Sequence, residues 1–503
     1  MPAATLFGPL CVRADASPAM GIGHLMRCLA LAQAWQDRGG AVTFVTSPGQ
    51  PELTARFVRE GFAVHELKAS PGSRADATET LATATSAGWL VVDGYQFRTD
   101  YLSALRAGEC RVLVIDDLGT IDLTPADLVL NQNMQATADL YGGRAATSRL
   151  LLGSAFALLR REFLQERSIA TAPVATPPLG SGARNVVITL GGSDPANISG
   201  RVLELLAGFQ DLRLRVNVIV GPANPHLPSL QATVARMQPA HDVTLVRDPP
   251  DLPALLAGAD VAVSAAGSSC WELACLGVPM LLIVTAENQR PSAVALAAAN
   301  MAVVVGRDLA EELLPALRTL LDDPQVRRRL AHAAAQLIDG RGAGRVAERM
   351  ATFPVRLRAA APKDAVLLHA WANDSLTRRM SFSPEPIPWE THLPWLNGRL
   401  ANPDCRLYIG EDEDGEALGQ VRLDRAGTTA TLSIGLAPEA RGRGLAARLV
   451  RLAAVECLHS EWCRLVEARV RPENAASLVT FRRAGFTDQG LTAGSGSVLF
   501  SLV

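Results

Sequence analysis

The sequence predicts an α/β chain of two doubly wound lobes followed by a smaller α+β domain. Three observations lead there. Short, continuous apolar runs alternate with helical patterns in two successive blocks, the signature of parallel sheets covered on both faces. A stretch rich in Pro, Ala, Gly and Ser, Ser168–Arg184, separates the blocks and reads as a linker. At 503 residues the chain is too long for one hydrophobic core, and a prior of about 150 residues per domain gives roughly three.

In the first lobe (residues 1–167) the candidate strands are Leu10–Arg13, Ala41–Thr46, Trp89–Asp93, Arg111–Asp116, Leu128–Leu130 and Leu150–Leu152. The second lobe (residues 185–350) repeats the pattern with Asn185–Leu190, Arg215–Val220, Val243–Val246, Val261–Ser264, Met280–Val284 and Ala302–Val305, and ends in a charged helix near Asp322–Ile338. In such folds ligands sit at the carboxyl ends of the strands. The third block (residues 355–503) opens with a helix carrying Trp371 and a Pro/Trp-rich stretch. A hairpin, Leu407–Leu423, with an acidic turn at Glu411–Glu416 follows, and strand Thr429–Leu436 then runs into a glycine-punctuated turn.

Composition narrows the function classes. Hydrophobic residues at 48% and charged ones at 19% describe a folded globular chain. The 48 Lys+Arg nearly balance 50 Asp+Glu, for a net charge of −2, so no basic field recommends nucleic acid as partner. MPAATLFGPL lacks a basic n-region and an apolar core, so no secretory leader is expected. The longest oily stretch, Ser292–Val305, is too short to cross a bilayer and suits a helix leading into a strand, so no membrane partner is expected. Eight scattered cysteines without a Cys-x-x-Cys pair read as reduced, buried thiols in a cytoplasmic protein, with no metal site.

Chemistry concentrates at three turns. Residues 13–28, RADASPAMGIGHLMRC, place Asp15 at the end of the first strand, then Gly21 and Gly23, then His24 at the start of a helix. Glycines let backbone amides approach an anion, and the helix N-terminus favours negative charge. The same field disfavours a charged imidazole, leaving His24 able to accept a proton from water. A structural turn with a helix-capping histidine is the other reading of these residues. In the second lobe, LGGSD (Leu190–Asp194) and SAAGSSCWE (Ser264–Glu272) each end a strand in small residues. Amides and the Ser268 and Ser269 hydroxyls suit a pyrophosphate there, and Glu272, one turn on, suits a ribose diol. Asn288 and Gln289 follow the next strand, while Trp271 reads as core. In the third block, Arg441-Gly442-Arg443-Gly444-Leu445-Ala446 follows strand Leu432–Leu436 and opens a helix whose amides can hold a diphosphate.

The first string resembles the UDP-sugar hydrolases of pseudaminic acid biosynthesis, across roughly residues 9–345. The resemblance implies a GT-B-like pair of Rossmann-like lobes, His24 as catalytic base, and release of a 2,4-diacetamido-2,4,6-trideoxy sugar from UDP without a metal. It further implies substrate contacts from Asp93 and Tyr95 (VDGY), Asp117 (IDD) and Arg160 (FALLRREF). For each of these residues, a strand-end or surface role stands beside the functional one. The second-lobe turns also resemble UDP-sugar-binding lobes of GT-B enzymes, including the N-acetylglucosaminyltransferase that makes lipid II.

The Arg441–Ala446 turn, with Glu467–Phe486 (EARVRPENAASLVTFRRAGF), resembles the GNAT N-acetyltransferases. This implies acetyl-CoA as co-substrate, held around Leu436, the turn itself, Asn474 and Ser477. Phe481 stands where many members carry a tyrosine that protonates the departing thiolate, a departure that puts transfer activity in doubt. Glu411, Asp412 and Glu467 are candidate bases, and His369–Leu396 resembles the acceptor side of the same pathway's amino-sugar N-acetyltransferase. Together these imply a bifunctional enzyme that acetylates a 4-amino UDP-sugar and then hydrolyses the product. A GT-B glycosyltransferase, or a UDP-sugar-binding scaffold with a degenerate acetyltransferase half, are the alternatives. The oligomeric state is not encoded in any motif.

Overall fold

The computed structural model describes residues 7–502, except 17–20, 86, 109, 147, 171–183, 222–223, 239, 248, 250, 307, 352–354, 413–414, 442–444 and 493–495. The chain divides between Glu348 and Arg349 into two compact units. The first holds both lobes.

The first sheet contains β1 (Leu10–Ala14), β2 (Val42–Thr46), β3 (Ala63–Glu66), β4 (Trp89–Asp93), β5 (Arg111–Ile115), β6 (Leu128–Asn131) and β7 (Arg149–Leu152). Their order is β3-β2-β1-β4-β5-β6-β7, with parallel registers such as Ala14 beside Asp93. The order reverses on either side of β1 and β4, where the carboxyl ends leave a crevice. β1 and β4 are buried at every residue, which is why they read as continuous apolar runs. β3 was not expected from the sequence. Its four residues, Ala-Val-His-Glu, lie half-exposed at the sheet edge, where no apolar run is required.

The second sheet contains β8 (Arg184–Thr189), β9 (Leu214–Ile219), β10 (Asp242–Val246), β11 (Val261–Ala265), β12 (Met280–Ile283) and β13 (Ala302–Val305). It is parallel throughout, in the order β10-β9-β8-β11-β12-β13. Val186 and Ile188 point into one core with Leu203 and Leu313, while Val187 points into another with Cys270 and Trp271. Alternation on a strand with both faces buried is the doubly wound pattern.

Two sequence boundaries shift. The expected terminal helix is one of two, Leu309–Asp322 and Pro324–Leu337. They are separated because extended Asp323 caps the second, accepting from the Gln325 and Val326 amides at 2.8 and 3.1 Å, with Pro324 in the first turn. A third helix, Gly342–Ala351, follows. Helix Arg161–Ala170, assigned by composition mostly to the first lobe, packs on the second. Phe163 shares a core with Trp271 and Cys275, and Arg167 donates to the carbonyls of Cys275, Ala335 and Ile338 at 2.6–2.9 Å. Most of the linker Ser168–Arg184 falls outside the described residues.

The second unit is a mixed sheet of β14 (Arg356–Ala359), β15 (Cys405–Glu411), β16 (Ala417–Ala426), β17 (Thr429–Leu436), β18 (Leu465–Val470), β19 (Thr487–Leu491) and β20 (Val498–Leu502). The order is β14-β15-β16-β17-β18-β20-β19. The neighbours β17 and β18 are parallel and pair only from Thr429–Leu465 to Thr431–Glu467, so the rest of β17 leaves its partner. The backbone of Leu432–Leu436 therefore has one edge open to an extended ligand. Among the described residues no helix is long and apolar enough to cross a membrane.

Candidate functional site

The carboxyl ends of β1, β4 and β5 in the first unit converge on helix Gly23–Gln36. Gly21 precedes it in the left-handed region, φ 74°, a conformation that glycine adopts without strain. Ile22 at the cap position makes no side-chain cap, so the first amides keep their partial positive charge. His24 lies in that first turn and is 7% exposed.

His24 Nδ1 is 2.7 Å from Asp93 Oδ1. Asp93 also accepts from Arg27, Nε to Oδ2 at 2.6 Å and Nη2 to Oδ1 at 2.7 Å. Burial alone would raise the Asp93 carboxyl, but the Arg27 charge and the hydrogen bonds from Arg27 and His24 outweigh it and hold it well below the ordinary carboxylate range. An ionised carboxylate only accepts, so Nδ1 carries the proton and Nε2 of His24 is left as acceptor. The 3.2 Å approach of Arg27 Nη2 to His24 Nδ1 is then a contact without a shared proton.

Arg27 continues outward. Its Nη1 donates to both oxygens of Asp117 at 3.0 Å. Asp117 also accepts from the Tyr95 hydroxyl at 3.1 Å and from Asn133 Nδ2 at 3.1 Å. The Tyr95 ring stands edge-on to the His24 imidazole, centroids 5.0 Å apart, while half of Tyr95 stays exposed. Burial and the Asp117 charge raise the Tyr95 phenol, which stays protonated as a donor. Four of the expected residues (His24, Asp93, Tyr95, Asp117) thus form one connected network. Arg27 and Asn133 complete it and were not singled out from sequence. The available signal was an arginine three residues after His24, on the same helix face.

Asp15 is placed differently. It is 3% exposed and held by three donors: Arg13 Nη1 and the Ser47 amide donate to Oδ1 at 2.7 Å each, and Gln96 Nε2 donates to Oδ2 at 2.9 Å. Arg13, fully buried, also pairs with Asp76 at 2.8 Å. Asp15 ties together the loops after β1, β2 and β4, a structural task for a residue expected among the substrate contacts.

The second-lobe turn comes against the first. A Cβ added at Gly23 would lie 3.7 Å from Ser268 Oγ, so the histidine loop and the serine turn face each other. Ser268 precedes helix Ser269–Leu276 without a side-chain cap; the Cys270 and Trp271 amides donate to the Gly267 and Ser268 carbonyls at 3.1 Å each, so the Ser269 amide and the two serine hydroxyls are the groups this turn offers an anion. Trp271 is core, 3% exposed. Glu272 Oε1 accepts from Arg160 Nη2 at 3.0 Å, which joins two expected ligand contacts to each other. Gln289 Oε1 accepts from the Thr285 amide and hydroxyl at 3.1 Å, and Asn288 is exposed. Among the described residues no group of three or more His, Cys, Asp or Glu gathers around a metal position.

In the second unit Gly442, Arg443 and Gly444 lie outside the described residues. Arg441 bridges to Asp374 at 2.6 Å and donates to Thr377 Oγ1 at 2.9 Å. The Arg441 hydrogen bond to Asp374 and the one from the Thr377 amide pull the Asp374 carboxyl down to about 2. Leu445 is buried at the start of helix Leu445–His459, with Ala446 next to it half-buried, and Leu436 ends the open edge of β17. Asn474 caps helix Ala475–Arg483 by accepting from the Ser477 amide at 3.1 Å. Phe481 is buried against Phe486 and Phe500, ring centroids 5.3 and 5.6 Å away. Of the candidate bases, Glu411 is occupied by Arg356 and Arg358 at 3.1 and 2.5 Å. Asp412 accepts from the Glu416 amide at 2.9 Å. Glu467 sits at the last paired position before β17 and β18 part.

Comparison with known proteins gives the class. Residues 186–346 match the glycosyltransferase family 28 C-terminal domain, and residues 355–487 match the acetyltransferase (GNAT) domain. The chain thus joins two Rossmann-like lobes, the second matching a glycosyltransferase family 28 C-terminal domain, to a domain that matches the GNAT acetyltransferase model. An uncharacterized protein of Methanocaldococcus jannaschii is 20% identical over 428 residues, 82% of this chain and 83% of that protein. The UDP-2,4-diacetamido-2,4,6-trideoxy-beta-L-altropyranose hydrolase of Campylobacter jejuni is 25% identical over 290 residues, 57% of this chain and 94% of the hydrolase. The crystal structure of Acinetobacter baumannii MurG superposes with a TM-score of 0.48 at 16% identity, covering 68% of this chain and 99% of that one.

Proposed function

We propose that the first unit hydrolyses a UDP-linked diacetamido-trideoxy sugar and that the second acetylates its 4-amino precursor with acetyl-CoA. The observation that carries the hydrolase reading is the His24–Asp93–Arg27 arrangement at the mouth of a nucleotide-sugar lobe. Nε2 of His24 accepts a proton from water as the water oxygen bonds to the anomeric carbon. The sugar C–O bond breaks and its electron pair leaves with UDP. Asp93 fixes the tautomer and stabilises the imidazolium that forms, the role of the carboxylate in Ser-His-Asp triads. The Ser268 and Ser269 hydroxyls and the Ser269 amide at the start of helix Ser269–Leu276 meet the diphosphate, Glu272 the ribose, and Tyr95 and Asp117 the sugar substituents.

The near full-length similarity to the Campylobacter hydrolase supports the substrate class, and the GNAT domain supports the acyl transfer. There the open edge of β17 takes the extended arm of acetyl-CoA, and the turn from Arg441 to Ala446 takes its diphosphate. Both sites lie in units of a chain that we read as working in the cytoplasm, without a metal. The test is His24→Ala. UDP release should be abolished while UDP still binds; unchanged turnover would remove His24 from the mechanism.

A further inference from the structure

The pairing of Arg160 with Glu272 was not anticipated, and its geometry points to a division of labour at the ribose. Arg160 lies just ahead of helix Arg161–Ala170 and is 7% exposed. Its guanidinium is held from three sides: Nη1 pairs with Glu162 Oε1 at 2.9 Å, Nη2 with Glu272 Oε1 at 3.0 Å, and Cζ stacks 4.9 Å from the Phe163 ring centroid. Its buried Nε has no hydrogen-bond partner among the described residues. Glu162 in turn is held by Arg56 Nη2 at 2.9 Å, so Arg160 sits on an anchored support.

Among the described residues Glu272 is engaged through one oxygen. Oε1 accepts from Arg160, and about a fifth of the side chain remains exposed. A glutamate on a helix has three side-chain torsions, and fixing one oxygen on a rigid guanidinium sets the direction of the other. That second oxygen is suited to the adjacent 2′ and 3′ hydroxyls of a ribose. We infer that Arg160 is a positioning residue: it presents Glu272 to the ribose diol and makes the site selective for ribonucleotides over deoxyribonucleotides. This rests on the reading of the second lobe as a UDP site.

Binding, independent of turnover, tests it. Calorimetry on the full chain would compare UDP with 2′-deoxy-UDP for the native protein, Arg160→Met, Arg160→Lys and Glu272→Gln. The native protein should favour UDP by about tenfold or more, the worth of a hydrogen bond to a charged group. Arg160→Met and Glu272→Gln should each weaken UDP more than 2′-deoxy-UDP, which has only the 3′ hydroxyl to lose, and so reduce the preference, and Arg160→Lys should restore part of it. Joining both changes should add nothing further, because the two act as one device. Equal weakening toward both nucleotides in Arg160→Met would show a merely structural arginine and overturn the inference. Failure of the native chain to bind either nucleotide would instead overturn the UDP site itself.

Discussion

At the scale of single residues, one buried carboxylate organises the candidate hydrolase centre. Asp93 lies between a histidine and an arginine, and each partner does something different to it. Arg27 supplies the charge that keeps it ionised under burial, and His24 receives its orientation. Asp93→Asn keeps the volume but can donate to Nδ1, which favours the wrong tautomer. We expect kcat to fall by about 10³- to 10⁴-fold with KM little changed, read by steady-state UDP release. Arg27→Met leaves Asp93 and Asp117 without their shared cation, and should cost about 3–5 kcal/mol of stability in denaturant unfolding. The acid side follows with a definite sign. A carboxyl lowered in the folded state stabilises fully above its unfolded value near pH 4, and loses that contribution as pH falls through the folded value. The stability gap between the native chain and Asp93→Asn should therefore narrow below about pH 4.

At the scale of elements, β4, buried at every residue, has the bounds its apolar run predicts, and β17 has the expected bounds although only Ala430 and Leu432 in it are buried. β3 was hidden because an exposed edge strand needs no apolar run, and the break at Asp323 because capping outweighs the periodicity of the flanking helices. Asp323→Ala should cost about 1 kcal/mol by thermal unfolding, the worth of an N-cap. Arg27 escaped notice for a related reason. Its charge lies on the buried face of an otherwise apolar helix, and only the tertiary partners Asp93 and Asp117 explain it. Asp15 shows the converse, because a strand-end carboxylate beside a glycine loop looks the same in sequence whether or not it also pairs, as here, with a buried arginine.

At the scale of the whole molecule, the two proposed reactions follow one another, since in that reading an acetamido group installed by one unit is carried by the substrate of the other. The two units carry separate sets of functional residues, so their activities should separate. His24→Ala should leave acetyl transfer to the 4-amino UDP-sugar intact, measured by CoA release. The most direct measurement follows the oxygen atom. The purified chain would be given the 4-amino-4,6-dideoxy-N-acetyl UDP-sugar with and without acetyl-CoA in oxygen-18 water, and the products read by mass spectrometry. The account predicts an acetylated free sugar carrying the label and unlabelled UDP, with cleavage at the anomeric carbon. Label in UDP would mean attack at phosphorus, and no UDP release from pre-acetylated substrate would mean no hydrolase; either result contradicts it.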